Sequence, residues 1–231
     1  MRLDNYELYN ALKGQGIQKL YHANTLTTAL SFISLGGVTS RGNIERLRLP
    51  QTEQDSDYAD KQYNVWNDIF LDTVDLHGYR YGGLWSRENA YGPILFELNT
   101  ELLLDKDLDN IWITTENPQY WEEKNPSNYF FTVEDYIANY NKNRQKKMIT
   151  IRGIEKIISL QQYLSCIYID DPKLSYKNIN LYDFCYDKIL AAIQQANLTT
   201  RICKHHCSPP CYCRTNYFDI PNWKLEKLFL I

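Results

Sequence analysis

The chain has 231 residues, enough to bury one full core, with a formal net charge of −3 and 44% hydrophobic residues. No apolar run reaches the roughly 18–20 residues needed to span a bilayer. The first residues, Met1-Arg2-Leu3-Asp4-Asn5, lack the apolar core of a secretory signal, so a cytoplasmic location without membrane association is the default expectation. The acidic balance (pI near 5.8) is not that of an overall basic nucleic-acid binder, so any such role must rest on local charge.

Tyr6, Tyr9 and Leu12 predict a short amphipathic opening helix ended by Gly14 and Gly16. Lys19-Leu20-Tyr21-His22-Ala23-Asn24-Thr25 follows. It reads as a buried strand that stops, presents His22 at its tip and feeds a short helix capped by Thr25 and closed by Gly36-Gly37. A histidine there can donate hydrogen bonds to an anionic ligand such as a nucleotide, or simply satisfy local backbone. Val38 to Ser40 reads as a short strand. Residues 42–64 are polar and acidic, too long for a plain connection, and are expected to be a functional lid or poorly ordered.

Apolar character resumes over Val65 to Leu76, and Pro93 to Leu98 and Ile111 to Ile113 read as strands. Thr132 with Asp135 forms a capping-box start for a helix. Ile149-Thr150-Ile151 and Cys166 to Ile169 are further strands, and Asn180 caps a helix with a Leu181, Phe184, Cys185, Ile189, Ile193 stripe. Cys166 and Cys185 fall on apolar patterns and read as core. The fold class is α+β, with mixed strands and no regular βα alternation. No glycine-rich dinucleotide fingerprint or phosphate loop is present.

Two clusters stand apart from this pattern. Lys142, Arg144, Lys146, Lys147 and Arg152 form the most basic stretch, fit to hold a phosphate backbone or to serve as a solvated helix end. Cys203, Cys207, Cys211 and Cys213 crowd one short run with His205 and His206. In a cytosolic chain this density points to a structural zinc, with either histidine able to replace one thiol, although the spacing is not the common pair of Cys-x-x-Cys knuckles.

The order of the segments KLYHANTLTTALSFISLGGVTS, WNDIFLDTVDLHGY, YGPILFEL, NIWITTENPQYW and QKKMITIRGIEKIISLQQYLSCIYID resembles the DarT-type ADP-ribosyltransferases, from about Leu20 to Asp171. The resemblance implies a split mixed β-sheet with flanking helices over residues 1–198; it does not cover residues 199–231, which read as a Cys-rich, zinc-binding extension packed on that domain. It implies NAD as substrate, a DNA or RNA base as acceptor, and a toxin–antitoxin or phage-defence setting with a protein antitoxin as partner. Cleaving the nicotinamide–ribose bond leaves positive charge on the sugar, which a nearby carboxylate stabilises.

By that resemblance His22 contacts NAD. Asn24, Thr25, Gly37 and Ser40 are its companion positions, and Tyr58 and Tyr63 are candidates for stacking on nicotinamide or the incoming base. The family's catalytic arginine has no clear counterpart by spacing. Arg41, Arg46, Arg48 and Lys61 are the available cations, and Arg46 and Arg48 are the expected ones. The family's catalytic glutamate falls at Met148, which cannot act as a carboxylate. Three readings follow: a disabling substitution, which is the favoured one; a natural pseudoenzyme; or another group, such as Gln145 or Glu155, in its place. A protein side chain as acceptor, and an inactive nucleotide- or partner-binding fold, are the competing functions.

Overall fold

The computed structural model describes residues 2–77, 91–205 and 213–231, without the side chains of 213–215. Helix α1 (Asn5–Gly14) begins where the Asp4 carboxylate accepts a hydrogen bond from the Glu7 amide at 2.8 Å. Its buried residues are Leu8 and Leu12, while Tyr6 stands in solvent. The expected stripe is therefore shifted: leucines one turn apart pack better than a tyrosine whose hydroxyl seeks water.

Strand β1 (Lys19–Asn24) leads into α2 (Leu26–Leu35), which Gly36 closes in the left-handed conformation (φ 75°). Strand β2 (Gly37–Thr39) and helices α3 (Arg41–Arg46) and α4 (Asp57–Gln62) follow. The segment expected to be a lid or poorly ordered thus carries two short helices. Several hydrogen bonds order this segment and tie it to the body of the protein. Ser40 accepts from the Asn43 amide, Ser31 donates to the Pro50 carbonyl, and the Thr52 amide donates to Thr28 Oγ1. Polarity misleads here because these side chains bond to backbone rather than to water.

Next come β3 (Ile69–Asp72), β4 (Ile94–Asn99) and β5 (Ile111–Thr114). Helix α5 (Val133–Ala138) is capped by Thr132, whose hydroxyl accepts from the Asp135 amide. Strands β6 (Met148–Ile151) and β7 (Ile157–Ser159), helix α6 (Leu160–Tyr163) and strand β8 (Leu164–Asp170) continue the chain. A small hairpin of β9 (Ser175–Tyr176) and β10 (Ile179–Asn180) precedes α7 (Leu181–Gln195), which buries the expected Leu181, Cys185, Ile189 and Ile193 and leaves the expected Phe184 partly buried at the stripe's edge. Strand β11 (Arg201–His205) and helices α8 (Cys213–Asp219) and α9 (Asn222–Phe229) end the fold.

Among the described residues, seven strands form one mixed sheet in the order β11-β8-β4-β1-β3-β6-β5. All neighbours are antiparallel except β8 and β11. Strand β1 pairs with β4 along its whole length, from Lys19↔Asn99 to Asn24↔Ile94. With β3 it shares only the pair Tyr21↔Asp72. The sheet is therefore two half-sheets, β11-β8-β4-β1 and β3-β6-β5, joined at one point and diverging beyond it. This is the expected split architecture. Helix α2 packs against α7 and α9. Residues beyond 198 add β11 to the sheet edge and bring Leu225, Leu228 and Phe229 into the same core. No helix among the described residues is long and apolar enough to cross a membrane.

Gly92 lies where β4 approaches the end of β1. Its φ is 137°, and a Cβ there would meet the Asn24 carbonyl oxygen at 2.3 Å. Backbone cannot yield as a side-chain tip does, and this φ is disfavoured for any L side chain. Gly92→Ala is expected to destabilise the protein by about 1–3 kcal/mol, read as a lower denaturant midpoint. An unchanged midpoint would show that the β1–β4 contact is looser than described.

Candidate active site

The divergence of the half-sheets opens a cleft of about 720 Å³, counted out to its solvent-open mouth. His22 and Met148 both line it, the first from β1 and the second from the start of β6 on the other half-sheet. The His22 ring bridges the gap that the strand ladder leaves. Its Nδ1 lies 2.8 Å from the Phe70 carbonyl oxygen. A carbonyl only accepts, so Nδ1 carries the proton and Nε2 keeps a lone pair when the ring is neutral. Burial lowers the His22 pKa, the Phe70 contact opposes that, and the Arg41 charge lowers it further. The ring is thus a neutral group tied to β3, with Nε2 3.5 Å from Asn24 Nδ2.

Asn24 Oδ1 accepts from the Thr25 amide and from Gln54 Nε2. Gln54 Nε2 also reaches the Tyr91 carbonyl at 3.2 Å. Ser40 lines the cleft while capping α3. Thr25 starts α2 without a side-chain cap bond. Its hydroxyl donates to Thr52 Oγ1 at 2.7 Å, and it lines a neighbouring groove instead.

The remaining expected cofactor positions lie elsewhere. A Cβ on Gly37 would meet Ile157 Cγ2 at 2.1 Å, so this glycine serves the close approach of β2 to β7. Tyr58 is 78% exposed, outside the cleft lining. Tyr63 is buried, donates to the Trp121 carbonyl and packs on the Trp121 ring. The aromatic faces lining the cleft belong to Phe32, Trp66, Phe70 and Tyr91.

Arg41, not Arg46 or Arg48, is the arginine in the cleft lining. Arg46 turns away to Asn43 Oδ1 and to Glu155, 3.1 Å off. The same ion pair, in which Glu155 is largely exposed, takes that carboxylate out of the cleft. Arg48 sits at positive φ just after α3. Arg41 Nη2 donates to Asp57 Oδ2 at 2.7 Å and to the Thr52 carbonyl at 2.8 Å. Its Nε and Nη1 are buried without a hydrogen-bond partner among the described residues. A guanidinium left with buried, unused donors beside a cavity is an opening for an anionic ligand. The sequence signal was available: a cation directly after the cap Ser40, at the start of a helix.

Three carboxyl groups in the cleft lining also escaped the sequence reading, one of them Asp68, which is paired with Arg152. Asp72 is buried and stands opposite Met148 in the β3–β6 register, on the same face of the sheet. Burial first, then the Asp75 charge, raises its pKa well above the usual carboxylate value. Asp60 is pushed up to about 7, chiefly by burial, against a hydrogen bond from Ser56. An aspartate inside an apolar strand, and acids within a helix, were the legible hints. Asn117 Nδ2 completes this end, 3.3 Å from Met148 Sδ and 2.6 Å from the Tyr91 hydroxyl.

The expected basic surface divides. Arg152 is committed to Asp68 at 2.9 Å and to the Trp112 ring. Lys147 is buried, and its pKa is lowered by desolvation and then by Lys142. Lys142 is exposed, while Arg144 lies over the Tyr140 ring and Lys146 over the half-exposed Tyr120. Tyr120 ends the short 3-10 turn Pro118–Tyr120, whose Pro118 lines the cleft. Lys146 and Tyr120 therefore adjoin the cleft through Pro118.

Of the expected zinc ligands, Cys207 and Cys211 lie outside the described residues, as does the side chain of Cys213. Cys203 is on β11 with its thiol against Cys166, whose own thiol burial and that neighbour push up to about 12. Among the described residues, the group spaced to hold a metal is instead His77, Asp170 and His205.

No protein-family model and no curated protein matches the chain. The chain is similar in structure to DarT from Thermus sp. 2.9 in complex with ADP-ribosylated single-stranded DNA. The TM-score is 0.53 at 9% identity, covering 82% of this chain and 95% of that one. The complex of the same DarT with NAD+ gives a TM-score of 0.49 at 10% identity, covering 82% and 96%. The likeness is one of fold: this is a DarT-like ADP-ribosyltransferase fold.

Because the folded-state pKa of Asp60 is raised, its contribution to stability is complete below about pH 4 and is lost as pH rises through about 7. Asp60→Asn removes that loss. Its melting temperature, relative to the original protein, is expected to be more favourable at pH 8 than at pH 5. A pH-independent difference would mean that Asp60 is not held in a desolvated place.

Proposed function

We propose that this chain is an NAD-dependent ADP-ribosyltransferase acting on a nucleic-acid base. The carrying observation is one cleft lined by His22 and Met148 from opposite half-sheets, with unused Arg41 donors at its wall. NAD, when bound, would supply the ADP-ribosyl group. In this reading Arg41 Nε and Nη1 take pyrophosphate oxygens. Asn24 and Ser40 hold polar edges, while neutral His22 offers Nε2 as acceptor to a ribose hydroxyl. Trp66 or Phe70 presents a flat apolar face to a ring.

Nucleic acid as acceptor draws support from the basic and aromatic surface of Lys142, Arg144, Lys146 and Tyr120, which adjoins the cleft at Lys146 and Tyr120. It also draws support from the ADP-ribosylated DNA that the structural relative carries. A toxin or phage-defence role, restrained by a protein antitoxin, is the setting this reading fits.

Met148 favours a second reading, in which the cleft binds NAD without turning it over. The carboxyl next to it in register, Asp72, is biased towards its protonated form by burial and then by the Asp75 charge. Neither residue then offers negative charge to a developing sugar cation. The two readings differ in turnover, not in binding.

Arg41→Gln is expected to weaken NAD binding roughly 10–100-fold, measured by calorimetry. Unchanged affinity would remove Arg41 from the site. Met148→Glu, incubated with labelled NAD, single-stranded DNA, RNA and cell protein, is expected to place label on nucleic acid about 10²–10⁴-fold faster than the original chain. Label on protein would replace the acceptor. NAD binding without label on any fraction would leave the second reading standing.

A further inference from the structure

Away from the cleft, His77, Asp170 and His205 meet in a nearly closed pocket, with 1%, 3% and 7% of their surfaces exposed. His77 Nδ1 lies 2.8 Å from Asp170 Oδ1, and His205 Nδ1 lies 3.3 Å from the same oxygen. The two rings stand 4.0 Å apart and nearly perpendicular.

The hydrogen-bond accounting at His205 is awkward without a cation. Its Nε2 lies 2.5 Å from Asp75 Oδ2, so Nε2 carries a proton there. In a neutral ring Nδ1 then holds a lone pair, and that lone pair faces the Asp170 carboxylate. His205 Nδ1 makes no hydrogen bond of good geometry to any described residue. Charging His205 alone satisfies both carboxylates, with His77 neutral and its Nδ1–H on Asp170, but it buries an extra proton on His205 Nδ1. A divalent ion held there with His77 and Asp170 would take that proton's place.

The surroundings fit that ion. Tetrahedral zinc, with bonds of about 2.0–2.1 Å, spaces its ligand atoms about 3.3 Å apart. The atoms here all lie within 4.8 Å of one another. Asp75 orients His205 from behind, and the Tyr217 hydroxyl donates to Asp170 Oδ2 at 2.5 Å. These are the outer hydrogen bonds that fix histidine and carboxylate ligands around a metal.

We propose that His77 Nδ1, Asp170 and His205 Nδ1 bind a structural divalent transition-metal ion of the zinc class. Asp75 and His77 follow directly after β3, whereas Asp170 and His205 end β8 and β11, three and four strands away in the sheet order. The ion would therefore clamp the two half-sheets together from outside the cleft.

The test uses the full chain, stripped with chelator and titrated with zinc or cobalt(II). One ion per chain is expected, with tetrahedral visible absorption for cobalt, and zinc at about 100 times its Kd raising Tm by roughly 5–10 °C. His77→Gln and His205→Gln are expected to weaken metal binding at least ~100-fold. X-ray absorption of the zinc-loaded original protein guards against variants that do not fold. A first shell containing imidazole supports the site, and a shell of sulfur alone overturns it. No ion bound, or full binding by both histidine variants, also overturns it.

Discussion

The hydrogen bond from His22 Nδ1 to the Phe70 carbonyl spans the place where two strands stop pairing. One residue pair, Tyr21↔Asp72, joins the half-sheets, and the backbone beyond it has no ladder partner across the gap. Unpaired strand edges are costly when buried and sticky when exposed. This protein keeps the edges apart and lines the space between them with polar side chains. The imidazole stitches the floor with a side chain instead of a ladder bond, and that leaves room above it.

The electrostatics of that space follow from its shape. Desolvation biases His22 towards neutrality and Asp72 and Asp60 towards their protonated forms. Arg41 is the guanidinium in the cleft wall. With Asp68, the third carboxyl of the lining, paired to Arg152, the cleft favours an anion. The same dryness makes the absence of a glutamate at the start of β6 consequential. A charged acid there would have to be sustained by the ligand's own developing charge.

Local chemistry was the legible part of the sequence. Asn180 and Thr132 are cap residues with bonds that close within three positions, and runs such as Pro93–Leu98 could pack in few other ways. What depends on distant partners was not legible. Arg41 and Arg46 lie five residues apart in one short helix, and only their tertiary neighbours, Asp57 and Glu155, decide which one faces the cleft. Strand β11 reads as part of a cysteine cluster because an edge strand with mixed exposure carries little apolar alternation. His77 and His205 are 128 positions apart, so no spacing rule could join them.

Strand β11 runs parallel to β8, and α7 is the crossover between them, so this end of the sheet is a β-α-β unit attached to an antiparallel body. Such a unit closes only after the helix has been made and folded back. Until residues 201–205 leave the ribosome, β8 presents a bare row of amide and carbonyl groups, open to any passing extended chain. The last seventh of the polypeptide therefore acts as a seal on its own sheet, and a chain stopped short of it would be prone to stick to its siblings.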